Sequence, residues 1–294
     1  MSDDLERGGI WDSQTWNEIS RAVLEDVGRV RVAQKVFPSE LRLNQDTIQS
    51  DTLTTVPAPP GEASPLMIRE GVTIPFFEIY AKFALTASQL NNEAQLRSAY
   101  TLAQLTSRKL ALAEDLLLFQ GSGATLPSGV AVNNLRPEWN GLLNLDGMLD
   151  PIVVKQTPSS GYGENTFGAV TEGISALIGA GHPGPYALVL ETRVFADTYA
   201  PLPNTLIATS DRIGPLVDGR FFGTGTLPPA TGLLVSLGGS PTTIFIGRDA
   251  DVVYNHNDPF GNHRFRVFER IQVVNREPTA LLRLDFANSG SKAG

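Results

Sequence analysis

Apolar residues recur at spacings of three and four near the start of the chain. Trp16, Ile19, Val23, Leu24 and Val27 fall on one stripe, which predicts an amphipathic helix from about Ser13 to Val27. Asp12 stands where an N-cap is needed, Trp11 and Trp16 fit the two positions of a hydrophobic staple, and Gly28 ends or loosens the helix. Residues 29–43 (RVRVAQKVFPSELRL) then alternate apolar with polar, which predicts an extended segment. From 44 to 75 a polar, Thr-rich alternation (DTIQSDTLTTV) runs into PAPPGEASP and returns as LMIREGVTI, a long hairpin with a proline-rich tip. Its faces are too polar for a core of their own, and a lone two-stranded ribbon is marginal in water. Such an arm is either disordered or lies on another subunit.

FFEIYAKFAL (76–85) reads as an apolar, aromatic strand. The longest helix is predicted from about Asn92 to Gln120, dominated by good helix formers and closed by Gly121. At 1.5 Å per residue it is on the order of 40 Å long, a spine rather than an ordinary packing helix. Residues 121–168 are rich in Gly, Pro, Asn and Ser and read as loop. A short helix (169–178), the strand ALVLE and the helix TRVFADTYA follow. The remainder is β-rich: GLLVSLGG, TTIFIGRDADVVY, HRFRVFERIQVVNRE and TALLRLDF. No tandem repeat and no linker divides the chain.

Composition narrows the function classes. With 294 residues, 41% of them hydrophobic, the chain can bury a large core, while 18% charged residues leave much neutral surface for neighbours. A net charge of −8 argues against nonspecific binding to nucleic acid or to an anionic membrane. The absence of cysteine excludes disulfides, thiolate metal sites and cysteine nucleophiles. The acidic, polar opening is no signal peptide and no apolar run is long enough to span a bilayer, so a soluble, cytoplasmic protein is expected.

Each candidate for chemistry has a plainer reading. His256, Asp258 and His263 share the stretch HNDPFGNH and could bind a metal, but Pro259 and Gly261 mark it as a turn, which attracts such residues for backbone reasons. His182, between GAG and PGPY, suits a helix end or turn better than a catalytic role. There is no G-x-S-x-G elbow, and GSGATLPSG and GTGTLPPATG match no phosphate-binding loop. Glu114 and Asp115 are adjacent on the spine, so they diverge by about 100° and cannot hold one substrate; an ion pair with a neighbouring chain or strand is the expected role. Arg264, Arg266 and Arg270 share one strand face, where partner carboxylates are preferred over nucleic acid. No catalytic or metal site and no cofactor is expected; the chain reads as a structural subunit, not an enzyme.

Several stretches together resemble the encapsulin nanocompartment shell proteins: QTWNEIS, ALAEDLLLFQG, GPYALVL, PLVDGRFFGTGTLPPATGLLVS, GGSPTTIFIGRDADVVY and FRVFERIQVVNREPTALLRL. In order and spacing they cover about residues 11–286. The resemblance implies an α+β, Hong Kong phage-type capsid fold with P-domain, A-domain and E-loop. It divides the chain into an N-terminal helix and strand on the lumen side (1–44), an E-loop (45–75), a P-domain strand and spine with a connecting insertion (76–140), an A-domain (141–236) and P-domain terminal strands with a tail (237–294).

It further implies a homo-oligomeric, icosahedral, cytoplasmic shell enclosing a cargo enzyme held by a short terminal peptide, with no membrane or nucleic acid partner. Carried over, the inner-wall cargo residues are Val27, Val30, Val32, Thr243 and Phe245, and the pore loop is Pro201, Leu202, Pro203, Asn204 and Thr205. The loop is uncharged, as a size filter would be. Residues 122–140 look longer than the family's usual connection. Two alternatives stand beside this reading: a phage or prophage major capsid protein enclosing DNA, and a soluble hydrolase or metal enzyme using His182 or His256 and His263.

Overall fold

A computed structural model describes residues 9–287 apart from 44, 50, 51, 70, 72, 157–160 and 202–205. In chain order its elements begin with α1 (Ser13–Val30), α2 (Ala33–Val36), β1 (Ser39–Leu41), β2 (Thr47–Gln49), β3 (Thr52–Thr55), β4 (Leu66–Arg69), β5 (Thr73–Pro75) and β6 (Phe77–Leu85). Then come α3 (Ala87–Asn91), α4 (Glu93–Leu96), α5 (Ser98–Gln120), β7 (Val130–Asn133), β8 (Leu149–Lys155), α6 (Gly163–Gly179) and β9 (Tyr186–Glu191). The last are α7 (Thr192–Asp197), α8 (Thr209–Leu216), β10 (Phe221–Thr224), β11 (Thr231–Ser236), β12 (Thr242–Asn257), β13 (His263–Asn275) and β14 (Leu281–Ala287).

Two five-stranded sheets organise the chain, in the orders β1-β12-β13-β6-β7 and β10-β9-β11-β14-β8. The arm adds two short ribbons, β2-β5 and β3-β4. In the first sheet β12, β13 and β6 are antiparallel neighbours, while β1 joins β12 in parallel. In the second, β9 and β11 are buried along nearly their whole length, as expected of strands covered on both faces. Ala187, Val189, Leu233 and Val235 face the main core, while Leu188, Leu190 and Leu234 face α6. Gly173 lets α6 close onto this sheet, since a Cβ there would come within 2.7 Å of Leu234 Cδ2.

The first helix forms as its pattern dictates. Asp12 Oδ1 accepts from Thr15 N–H at 2.8 Å, and Trp11 packs edge-on to Trp16 with centroids 5.1 Å apart. Trp16, Ile19, Val23 and Val27 are buried against the spine and the first sheet, while Leu24 is exposed. Gly28 does not stop the helix. It runs to Val30, and the expected extended segment after it holds the short helix Ala33–Val36, with only Ser39–Leu41 in a strand. The cause lies far away in sequence: the buried carboxylate of Asp115 accepts from Val32 and Ala33 N–H and so caps α2.

The spine is shorter than its pattern. Arg97 takes a left-handed conformation (φ 48°), and the buried Glu93 accepts from Ala99 and Tyr100 N–H to start α5 there. The remaining 23 residues span about 34 Å. Residues 121–168 are not one long loop. Within 122–140, β7 adds a fifth strand to the first sheet beside β6, and Trp139 is buried with its Nε1 donating to Leu117 O at 2.7 Å. Further on lie β8 and the first turns of α6, whose helix starts at Gly163 rather than Ala169. One boundary also shifts: β12 and β13 belong to the first sheet, whereas β14 pairs with β11 and β8 in the second.

Candidate functional site

The three histidines stand in separate settings. At the end of α6, Gly181 N–H reaches Ile178 O and His182 N–H reaches Leu177 O at 2.8 Å, so His182 closes the helix as its sequence position suggests. Its ring is not that of a partnerless turn residue. The side chain is buried, with Nε2 2.7 Å from Thr279 Oγ1 and Nδ1 3.5 Å from Glu277 Oε2. His182 thereby ties α6 to the turn that feeds β14.

His256 and His263 flank the tip of the β12–β13 hairpin. Asp258 does not turn towards them. It accepts from Phe260 and Asn262 N–H, from the Asn262 side chain and from Arg264. The Asn262 N–H, aided by these other donors, holds its carboxyl down at about 2. This turn presents Phe260 at its apex, 87% exposed. Among the described residues no group of three His, Asp or Glu side chains is placed to hold a metal ion. None of the described helices is long and apolar enough to cross a membrane.

The arginine stripe on β13 finds carboxylates within the chain. Arg264 pairs with Asp258, Arg266 with Glu78 of β6, and Arg270 with Asp46 at the root of the arm. The acidic pair on the spine also stays within the chain. Glu114 Oε1 accepts from Gln34 Nε2 at 2.7 Å and its Oε2 lies 3.7 Å from Arg31 Nη1. Burial pushes Glu114 up to about 7, against the nearby Arg31. Burial and then the Glu114 charge push Asp115 up to about 8, against the Val32 and Ala33 N–H groups.

A third buried carboxylate, Glu269 of β13, completes this cluster and was not among the residues picked from the sequence. Burial and Glu114 push it well above the carboxylate range. Its signal was in FRVFERIQVV, because Phe265, Val267, Glu269, Ile271 and Val273 alternate onto the core face of β13.

The five inner-wall candidates are not brought into one groove. Val27 and Val32 are buried in the main core, and Val30 packs partly exposed against it. Thr243 and Phe245 lie on the other face of β12, since Ile244 and Ile246 between and beside them point into the main core. Phe245 packs with Ile48, Ile74, Phe76 and Val274, under the root of the arm. It also borders a surface cavity of about 520 Å³ with Arg42, Asp46 and Arg276. Of the loop candidates, Pro201 is exposed and bridges to Ala208, while Leu202, Pro203, Asn204 and Thr205 lie outside the described residues. The loop's far flank is apolar and bare, with Leu206 98% exposed.

Among the described residues the arm is fixed at its root. At the root, Ile48 and Ile74 are buried, Arg270 Nη2 lies 2.7 Å from Asp46 Oδ1, and Gln272 donates to Pro75 O. Further out, Val56 N–H reaches Pro65 O across the end of the outer ribbon. Leu66, Met67 and Ile68 follow one another there, 73%, 51% and 60% exposed.

A spine helix, two sheets sharing a core across it, and a projecting ribbon define a Hong Kong phage-type capsid fold. The virus-like particle protein of Pyrococcus furiosus has it, matching with a TM-score of 0.68 over 92% of this chain and 99% of its own at 13% identity. A chain from the Mycobacterium phage Bobi matches with a TM-score of 0.62 over 88% of this chain and 91% of its own at 15% identity. Residues 11–272 match the Linocin_M18 family, described as encapsulating protein for peroxidase, and the chain belongs to that family. It is 26% identical over 177 residues to the type 1 encapsulin shell protein EncA of Myxococcus xanthus, a match spanning 60% of this chain and 55% of that relative.

Proposed function

We propose that this protein is a structural shell subunit that assembles with copies of itself into an icosahedral, cytoplasmic nanocompartment around a cargo enzyme. The observation that carries the reading is the arm. Its root is welded to the first sheet, while three consecutive large apolar residues beyond it are largely exposed among the described residues. A neighbouring copy supplies that cover in a closed shell.

On this reading the arm (45–75) is the E-loop, the first sheet with the spine is the P-domain, and the second sheet, including β14, is the A-domain. The loop at 200–205, with exposed Leu206 beside it, lines a pore. The cargo peptide contact is placed on the α1 side of the first sheet, where Val30 keeps accessible surface and Val27 and Val32 pack beneath it. Thr243 and Phe245 are buried on the other face of β12, beside the arm root.

The contents of purified particles separate this reading from that of a DNA-filled capsid. Particles isolated from the source cells and treated with nuclease are expected to carry one or a few discrete co-purifying proteins. Particles that carry no co-purifying protein and are filled with nucleic acid would contradict the proposal.

A further inference from the structure

The joint between α1, the spine and the first sheet holds more negative charge than its cations balance. Glu114 of α5 and Glu269 of β13 are both fully buried. Asp249 of β12 stands at the rim, with its side chain 41% exposed. One cation faces all three: Arg31 Nη1, from the link between α1 and α2, lies 3.7 Å from Glu114 Oε2, 3.2 Å from Asp249 Oδ1 and 3.9 Å from Glu269 Oε2.

The other charges nearby do not close the gap. Asp115 is committed to the Val32 and Ala33 N–H groups; its own carboxyl is pushed up by burial, so it is a third titrating group beside the pair and brings no cation. Lys35 is turned outward, donating to Arg29 O, and Arg248 pairs with Asp251. Gln34 satisfies Glu114 Oε1, yet Glu114 Oε2 and both carboxyl oxygens of Glu269 have no hydrogen-bond partner among the described residues.

Two buried carboxylates cannot both be neutralised by one guanidinium that is also shared with Asp249. A proton on either lowers the excess negative charge by one and leaves Arg31 to face the carboxylate that stays ionised. We propose that Glu114 and Glu269 together hold one proton at neutral pH, and that this proton latches the α1–α2 link to the spine and the first sheet. The titration belongs to the pair rather than to either residue.

The direction with pH follows. In the unfolded chain both glutamates release their protons around the ordinary value of 4.5. The folded chain keeps one to higher pH, because burial and mutual repulsion raise both groups. Below 4.5 the stabilisation is fully present, and it is lost as pH rises through the folded range, where the native state binds more protons than the unfolded one.

The test uses the full-length protein in whichever assembly state it purifies, so its failure is separate from a failure of the shell reading. From about pH 6 to about pH 9 the apparent unfolding midpoint at fixed scan rate is expected to fall by roughly 2 °C per pH unit, the slope of one released proton in a chain of this length. Glu269→Gln and Glu114→Gln, which mimic the protonated side chain, are expected to flatten that slope. An unchanged slope in both variants would overturn the proposal. A second readout on the unmutated protein covers variants that do not fold. Infrared difference spectra across the same range are expected to show a buried protonated carboxyl band that disappears as pH rises, and its absence at about pH 6 would equally overturn the latch.

Discussion

Deleting residues 56–65 from the arm is expected to weaken assembly into closed particles while leaving a folded chain. Among the described residues, the contacts that fix the arm to its own subunit lie at the root: Ile48 and Ile74 in their small core, Asp46 on Arg270, and Gln272 on Pro75 O. None is removed by the deletion. Among the described residues beyond the root, Leu66, Met67 and Ile68 are largely exposed, and on this reading a neighbour covers them. A shell needs every such contact repeated around its surface, so the loss is multiplied over the assembly. Size-exclusion chromatography with circular dichroism separates the two effects: normal helix and strand signals with subunits or small oligomers are expected. Normal particles from the deletion would remove the arm from the assembly contacts.

Replacing Arg31 by alanine is expected to produce the largest loss of stability of any single surface-reaching residue, about 3–5 kcal/mol, or on the order of 10 °C in the midpoint. Its guanidinium is the one cation within 4 Å of both Glu114 and Glu269 among the described residues. Truncation leaves two buried carboxyls that must both take protons or remain charged without a partner. The deficit is expected to shrink as the pH is lowered to about 5, where protonation replaces the missing cation. A deficit that is independent of pH would mean that Arg31 acts by packing its stem, and not through its charge.

Where sequence pattern and local chemistry act together, the fold is legible. The stripe from Trp16 to Val27 and the cap at Asp12 specify α1, and alternation specifies β6, β12 and β13. What was missed depends on partners distant in sequence. The break at Arg97 carries no glycine to announce it; a buried Glu93 enforces it. β7 and β8 are edge strands whose residues are almost all half-exposed or exposed, so Gly- and Asn-rich surroundings hid them. TALLRLDF specifies a strand well, but alternation does not say which sheet receives it, and β14 went to the second.

The candidate site shows the same division. The arm was readable because its faces are too polar for a private core. The split of Val27 and Phe245 between two sheet faces was readable in principle from the alternation of Thr243, Ile244, Phe245 and Ile246. The partners of His182, by contrast, are supplied by a turn 97 residues away, beyond any local pattern.

The central claim is that this chain builds a closed wall out of copies of itself. Negative-stain electron microscopy of the purified full-length protein tests it most directly. Hollow particles of uniform diameter are the predicted result. A field without particles, from protein that runs in solution as a 31.6 kDa monomer, would contradict it.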